Sequence, residues 1–313
     1  MIRRPPRSTL SPSSAASDVY KRQTIQRSFK GVSMGYLENI EVIAIIGAGK
    51  IGSAIIKALR TCSDVKIIAT GRRDETLRYA EKLGAIATRD NDKAVREAEI
   101  VVLSVKPYHF PTVVKQVSKE SWKGKTVVSI MAGVRIKTLR DALGEDIEVY
   151  RAMPNINALV RKAATAISTL DEFGEHRETV EELFKCLGTV FWVPEEYLDI
   201  WTGLVGSGPA FIAEIVDALV LGAVASGMPR DLAYQGILDV LEGTSTLLKN
   251  IRVHPAEVRD EVTTPGGTTI RGLMVMESEG VKAALMKTVE ETYKRSREIG
   301  LEIDSKIRKE LGL

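Results

Sequence analysis

The 313-residue chain is poor in the residues that most often build sites. It holds two cysteines, Cys62 and Cys186, far apart in sequence and with no histidine near either. A disulfide framework and a zinc site are therefore not expected. A reducing compartment, the cytoplasm, is the default, and no metal is assigned. Only three histidines, His109, His176 and His254, are on offer as general acids. His176 lies in a charged, surface-type helical stretch, His254 precedes Pro255 in a turn, and His109 follows SVKPY. Each reads as structural first, although His109 stands near the cofactor end. No charge-free apolar run reaches the roughly 18–20 residues of a membrane span. Residues 200–228 come nearest, with Asp199, Glu214 and Asp217 in or beside them, and read as a buried helix.

An excess of positive charge is also missing where it would matter. The net charge of +3 is set by the head of the chain. Residues 1–30 carry seven Lys and Arg against one acid, Asp18, leaving 37 basic and 40 acidic side chains in the rest. That body offers no nucleic-acid footprint. The Ser- and Arg-rich head has the composition of a transit peptide, but Pro5, Pro6 and Pro12 break any amphipathic helix. It could be a disordered tail. It also resembles translated sequencing-adapter read-through, and that expectation places the native start at Met34. Residues 1–33 are set apart on this reading.

What is present is regular from Ile40 onward. Apolar runs at 40–46, 64–70, 85–88, 99–105, 125–131 and 147–153 alternate with helical patterns near 50–60, 74–83 and 91–97. Strands this apolar, spaced by helices, predict a parallel sheet covered on both faces. A helix at 174–187 and a strand at 189–193 complete an α/β domain over 34–195. Nearly everything from 196 to 313 reads as helix, with breaks at Gly227–Pro229, His254–Pro255 and VTTPGGTTI (262–270). The helix after Pro209 is apolar on most faces, more than one layer of a domain this size can cover. An intertwined homodimer is the expected solution.

GAGKIG (47–52) follows a strand and opens a helix, the context that gives G-x-G-x-x-G meaning. Its glycines make the tight turn, let the pyrophosphate approach and let the helix pack on the strand. The helix N-terminus then offers N–H groups to phosphate. This is a Rossmann-type doubly wound α/β sheet binding a dinucleotide. At the end of the second strand, where an NAD site places an acid, the chain reads TGRRD (70–74). Arg72 and Arg73 there suit a 2′-phosphate, so NADPH is expected, with NADH possible. SVKP (104–107) and MAGV (131–134) end the next strands on the same edge and suit the nicotinamide end.

The reaction is not written in that half. β-Hydroxyacid dehydrogenases place a catalytic Lys in G-x-x-x-K-x-x-x-N on the first helix of the second domain. Aligned on Gly208, that pattern meets Ile212 and Val216 instead. Carbonyl reduction needs a proton donor that is absent here. A cyclic imine arrives already protonated and asks mainly for orientation.

Together, GAGKIG, SVKP, RAMPN (151–155), GSGPAF (206–211) and HPAEVRDEVTTPGGTTIRGL (254–273) resemble the pyrroline-5-carboxylate reductase family over about residues 40–300. The resemblance implies reduction of Δ1-pyrroline-5-carboxylate to L-proline with NAD(P)H, on a Rossmann domain followed by an all-helical dimerisation and substrate domain. It also implies homodimers that can assemble in rings. Carried over by position, Gly47, Gly49, Lys50, Ile51 and Gly52 would cradle the pyrophosphate, with Arg72, Arg73 and Asn91 at the adenosine end. Ser104, Val105, Lys106, Pro107, Met131, Ala132 and Gly133 would flank the nicotinamide ribose. Thr264, Gly267, Thr268 and Thr269 would hold the substrate, with Thr264 and Thr269 as the reacting-site hydroxyls and Glu261 a candidate ring-nitrogen partner. Some members carry a Glu two residues before the His-Pro pair, where this chain has Arg252. The threonines of the loop are also expected to cap a helix beginning near Thr268. The alternatives are a reductase of another cyclic imine or a short hydroxy or oxo acid, and a non-catalytic NADP-binding sensor.

Overall fold

Strands with no charge inside them must be covered on both sides, and the architecture follows from that requirement. The computed structural model describes residues 35–171 and 173–313. The basic head and the expected start at Met34 lie outside the described residues. Strand β1 (Val42–Ile46) is buried along its whole length. It sits near the middle of an eight-stranded sheet of order β3-β2-β1-β4-β5-β6-β7-β8. The others are β2 (Lys66–Thr70), β3 (Ile86–Thr88), β4 (Ile100–Leu103), β5 (Lys125–Ser129), β6 (Ile147–Met153), β7 (Ala163–Thr169) and β8 (Gly188–Trp192). Helices α1 (Lys50–Leu59), α2 (Asp74–Lys82), α3 (Asn91–Glu97), α4 (Phe110–Gln116), α5 (Lys119–Trp122), α6 (Ile136–Leu143) and α7 (Arg177–Lys185) connect them.

Strands β1 to β6 pair in parallel, and their register levels the carboxyl ends. Ile46 stands beside both Thr70 and Leu103, Leu103 beside Ser129, and Ser129 beside Arg151. The loops 47–49, 71–73, 104–107 and 130–135 therefore emerge on one edge, where the order reverses between β1 and β4.

Strand β7 departs from the sequence expectation. Its AATAIST run is too rich in Ala and Thr to announce itself, and it pairs antiparallel with β6 before β8 resumes parallel to it. The expected strands 99–105 and 125–131 both stop two residues early. At the first, the Ser104 hydroxyl turns to donate to the Gly47 carbonyl.

The second half is helical throughout: α8 (Tyr197–Trp201), a π-turn (Thr202–Gly206), α9 (Gly208–Ala225), α10 (Arg230–Ile251), α11 (Pro255–Glu261), α12 (Thr268–Ser278) and α13 (Val281–Leu311). The apolar α9 is not buried within one chain: among its residues only Val216 and Val220 are buried, packed on Ala233 of α10, so the cover expected for it does not come from its own chain. The stretch Tyr197–Ala225 is long and apolar enough to cross a membrane, and only 11% of its most apolar window is buried. The reason is geometric, since one neighbouring helix covers one stripe of a helix that is apolar all round.

The long α13 returns to the sheet. Ile307 joins the core formed by Leu103, Val127 and Leu139, and Arg308 pairs with Asp141 at 2.7 Å. Residues Tyr36–Leu313 form one compact unit.

Candidate active site

The turn after β1 shows why three glycines are spaced as they are. Gly47 takes φ +98°, and a Cβ there would lie 2.8 Å from a Val105 methyl. A Cβ on Gly52 would lie 2.6 Å from the Ser104 hydroxyl and still closer to the Gly47 carbonyl. Gly49 is different, with nothing within 4 Å of the position a Cβ would take. Two glycines are thus required by the protein's own packing, while the middle one faces open space. The turn is fixed to β2 by the Ala48 N–H on the Thr70 carbonyl (2.8 Å) and the Gly47 N–H on the Thr70 hydroxyl (3.2 Å). Gly49 caps α1 without a side chain. The first-turn N–H groups of Lys50, Ile51 and Gly52 therefore point outward with no intrahelical acceptor. A cavity of about 390 Å³ borders Gly49 and Lys50 but runs between α1 and α2 toward Tyr79 and Leu159. It includes none of the residues at the ends of β4 and β5, so it is a side pocket and not the whole cofactor groove.

Arg72 and Arg73 are exposed at the tip after β2. Arg72 donates to Nε2 of His109 at 2.7 Å, which requires the imidazole to be neutral at that nitrogen. Burial first, and the Arg72 charge second, hold His109 below its ordinary histidine range. Arg89 adds a third guanidinium, donating to the Arg72 carbonyl and to Asp74. Asn91, at the start of α3, gives its amide to Gln116 at 2.7 Å.

On the other side of the switch point, Ser104, Val105 and Pro107 are half-buried and Lys106 is exposed. Met131 is buried and Ala132 exposed. Gly133 is held at φ +81°, and a Cβ there would come within 2.8 Å of the Gly300 Cα. Helix α13 thus touches the β5 loop backbone to backbone. A polar network tightens the same corner. Arg135 pairs with Asp199 at 2.8 Å, and its N–H donates to Asp304 at 2.9 Å. The fully buried Arg151 pairs with Glu195 at 2.8 Å, and Glu195 also accepts the Ile136 N–H. Burial lowers the Arg151 pKa from its ordinary value, opposed by the Glu195 charge. Asn155 donates to the Val205 carbonyl at 3.2 Å, while its own buried Oδ1 has no partner among the described residues.

The loop 262–267 is held by local bonds alone. The Thr263 hydroxyl donates to the Arg259 carbonyl at 2.6 Å, and the Gly267 N–H to the Thr264 carbonyl at 3.1 Å. Gly266 takes φ +70°, and a Cβ on Gly267 would collide with the Thr264 hydroxyl. Helix α12 begins at Thr268, as the sequence implies, but its cap is Gly267, with no side-chain capping bond. The expected threonine cap is absent because the glycine occupies the cap position itself. Thr264 and Thr268 are exposed and Thr269 half-buried. Glu261 ends α11, exposed. Arg252 closes α10 in a left-handed conformation (φ 53°), and His254 caps α11 in a capping box with Glu257. Among the described residues, no hydrogen bond or ion pair joins loop 262–267 to the nucleotide half. One chain brings the dinucleotide residues together and leaves the substrate-loop residues apart from them.

The family model for pyrroline-5-carboxylate reductase dimerisation matches residues 195–299, and that for F420-dependent NADP oxidoreductases matches 42–133. The pyrroline-5-carboxylate reductase of Methanosarcina acetivorans is 38% identical over 269 residues, covering 84% of this chain and 99% of that protein. The chain belongs to the pyrroline-5-carboxylate reductase family. Pyrroline-5-carboxylate reductase 3 of Macaca fascicularis is 34% identical over 82% of this chain and 95% of its own. Among solved structures, the Streptococcus pyogenes enzyme matches with a TM-score of 0.75 at 30% identity, covering 82% of this chain and 98% of that one. A Plasmodium falciparum reductase with NADP bound shares the fold at the same TM-score and 24% identity, covering 84% and 99%.

This family member is an NAD(P)H-dependent oxidoreductase that reduces Δ1-pyrroline-5-carboxylate to L-proline. Its substrate is a small molecule, and it is a homo-oligomer. Three parts of the edge escaped the sequence reading. Arg89 had its signal in TRDN (88–91), two residues before Asn91. His109 was set aside as structural. The contact of Gly133 with Gly300 was announced only by a lone glycine within a helical pattern. One cluster of donor groups elsewhere draws no role. Glu148, Glu175 and His176 cluster within 4.8 Å, but the Glu148 carboxylate already accepts the N–H groups of Glu175 and His176 and the Tyr150 hydroxyl. His176 sits at the start of α7 with Nδ1 2.9 Å from the Thr126 hydroxyl, half-buried and not on a surface face.

Proposed function

We propose that the enzyme prefers NADPH and reduces an iminium that it positions with backbone N–H groups and threonine hydroxyls, without a strong general acid. The observation that carries this reading is a pair of backbone-lined helix starts. One is Gly49–Gly52, open where a Cβ on Gly49 would be, and the other is Gly267–Thr269, capped by a glycine with no side-chain capping bond over the N–H groups of Thr268 and Thr269. Each suits an anion, a pyrophosphate at the first and a substrate carboxylate at the second. Arg72 and Arg73, with no carboxylate at the position an NAD site would use, support recognition of a 2′-phosphate. Asn91 completes the adenosine side, and residues 104–107 and 131–133 wall the ribose. When bound, the nicotinamide supplies the hydride. The residues of this chain fix the ring: Thr264 and Thr269 offer hydroxyls, Gly267 shapes the loop, Thr268 offers its N–H group, and Glu261 is the candidate partner for the ring nitrogen.

The division into 34–195 and 196–313 is part of this proposal. So is an intertwined dimer in which a second copy covers α9 and α10 and brings a substrate loop to the nicotinamide edge. Rings of such dimers and a cytoplasmic location follow from the family resemblance.

The test is steady-state NADPH and NADH oxidation with pyrroline-5-carboxylate, run beside pyrroline-2-carboxylate and piperideine carboxylates. A higher kcat/KM with NADPH is expected, falling at least about tenfold in Arg72→Ala while NADH is little changed. Equal efficiency with the two cofactors would overturn the preference.

A further inference from the structure

The two cysteines, distant in sequence, meet in the fold. Cys62 follows the end of α1 and Cys186 follows the end of α7, about 125 residues along the chain. The fold nevertheless brings both to one side chain, Arg161, and Cys62 stands near enough to help raise the Cys186 pKa. Both are free. A third residue ties the pair together. Arg161 places Nη2 at 3.6 Å from the Cys62 sulfur and donates from Nε to the Cys186 carbonyl at 3.1 Å. Arg161 does so from a left-handed backbone conformation (φ 57°), uncommon for a residue with a side chain. The thiols are unequal. Cys62 is half-buried and reachable, while Cys186 is buried, and that burial pushes its thiol well above the usual range.

We propose that Cys62 and Cys186 form a redox-modifiable pair that closes to an intramolecular disulfide by exchange with a small-molecule disulfide such as oxidised glutathione. In the first step the Cys62 thiolate attacks one sulfur of the oxidant. A mixed disulfide forms, the oxidant's S–S bond breaks, and one glutathione leaves as thiolate and takes a proton. In the second step Cys186 sulfur attacks the Cys62 sulfur, the mixed disulfide breaks, and the Cys186 proton passes to the second departing glutathione. Two protein thiols are oxidised and one glutathione disulfide is reduced to two thiols. The high proton affinity of Cys186 makes the second step the slow one. The bond would tether the far end of α1, the helix whose first turn faces the cofactor pyrophosphate, to the corner between α7 and β8.

The test uses the full-length protein with oxidised glutathione, read by intact mass, by thiol counting after denaturation, and by peptide mapping without reduction. Wild type should pass through a transient glutathione adduct and finish two hydrogens lighter with no free thiol. It should yield a Cys62–Cys186 linked peptide within one chain, and dithiothreitol should reverse the change. Cys186→Ser should stop at a stable adduct on Cys62, and Cys62→Ser should leave Cys186 unmodified in the native protein. A wild-type protein that stops at the adduct, links two chains through Cys62, or keeps both thiols free would overturn the pairing.

Discussion

Ile46 and Ile212 are isoleucines in comparably apolar runs, yet one is fully buried and the other is 49% exposed. The difference separates the two halves of the molecule. In the nucleotide half the central strands β1, β4, β5 and β6 are buried between helices of the same chain, so the core closes around them. In the helical half α9 finds only α10, and side chains such as Leu219, Leu221, Leu238 and Val240 stay open. Local hydrophobicity decides which element forms, and the number of layers the chain can supply decides whether that element is covered. One half is finished by its own sequence, and the other is left open by it.

The strongest way to break that contrast is to make the open face charged. Leu219→Asp with Leu238→Asp should cost little in an isolated chain, where both side chains meet solvent. Buried in a dimer, two carboxylates would carry a desolvation cost of several kcal/mol each. Sedimentation should show loss of the dimer, with kcat/KM falling by roughly a hundredfold or more. A variant that stays dimeric and active would place the interface elsewhere. The opposite half is tested by Glu195→Ala, which strands Arg151 without its partner in the interior. A loss of about 3–5 kcal/mol in chemical denaturation is expected. A loss below about 1 kcal/mol would mean that Arg151 reaches water.

The same contrast explains what the sequence could show. The sheet was legible because most of its strands are nearly continuous apolar runs, β6 with Glu148 and Arg151 being the exception, and GAGKIG declared the turn because sterics leave no alternative to glycine at 47 and 52. Strand β7 was not legible, because Ala and Thr carry little strand signal and only pairing with β6 makes it a strand. The loop at 262–270 was legible as a motif, and the start of its helix was placed correctly. Its cap was misread, since hydroxyls near a helix start suggest capping and only the folded loop puts glycine in the cap itself. The exposure of α9 in one chain was legible in part: a helix apolar on most faces asks for more cover than one layer supplies, but its pattern reads the same whether its own chain or a partner supplies that cover. The meeting of Cys62 with Cys186 depends on how α1 and α7 pack, which no local pattern encodes.

A smaller effect sharpens the comparison within a single motif. Gly52→Ala puts a methyl against the Gly47 carbonyl and the Ser104 hydroxyl, so stability should fall by about 1–3 kcal/mol. Gly49→Ala meets nothing in the protein, and its stability should stay within about 0.5 kcal/mol of wild type. Its KM for NADPH should nevertheless rise about tenfold, since the methyl occupies the approach reserved for pyrophosphate. Thermal melts beside cofactor titrations separate the two outcomes. If Gly49→Ala binds NADPH normally, the open space at Gly49 is not the pyrophosphate seat.

The smallest expected effect asks what the helical half adds to the chemistry. If it only buries surface, the hydroxyls of its loop should be dispensable. Thr269→Val keeps the shape, removes one donor, and leaves the α12 cap untouched because that cap is Gly267. No hydrogen bond of the Thr269 hydroxyl holds the loop together, since the described contacts there belong to Thr263, Thr264 and Gly267. The melting temperature should therefore stay near wild type. A lost substrate hydrogen bond is worth about 1.4 kcal/mol, so kcat/KM for pyrroline-5-carboxylate should fall on the order of tenfold with NADPH binding unchanged. Kinetics identical to wild type would remove the Thr269 hydroxyl from the site and leave the Thr264 hydroxyl and the loop's N–H groups to carry the substrate contacts proposed for the helical half.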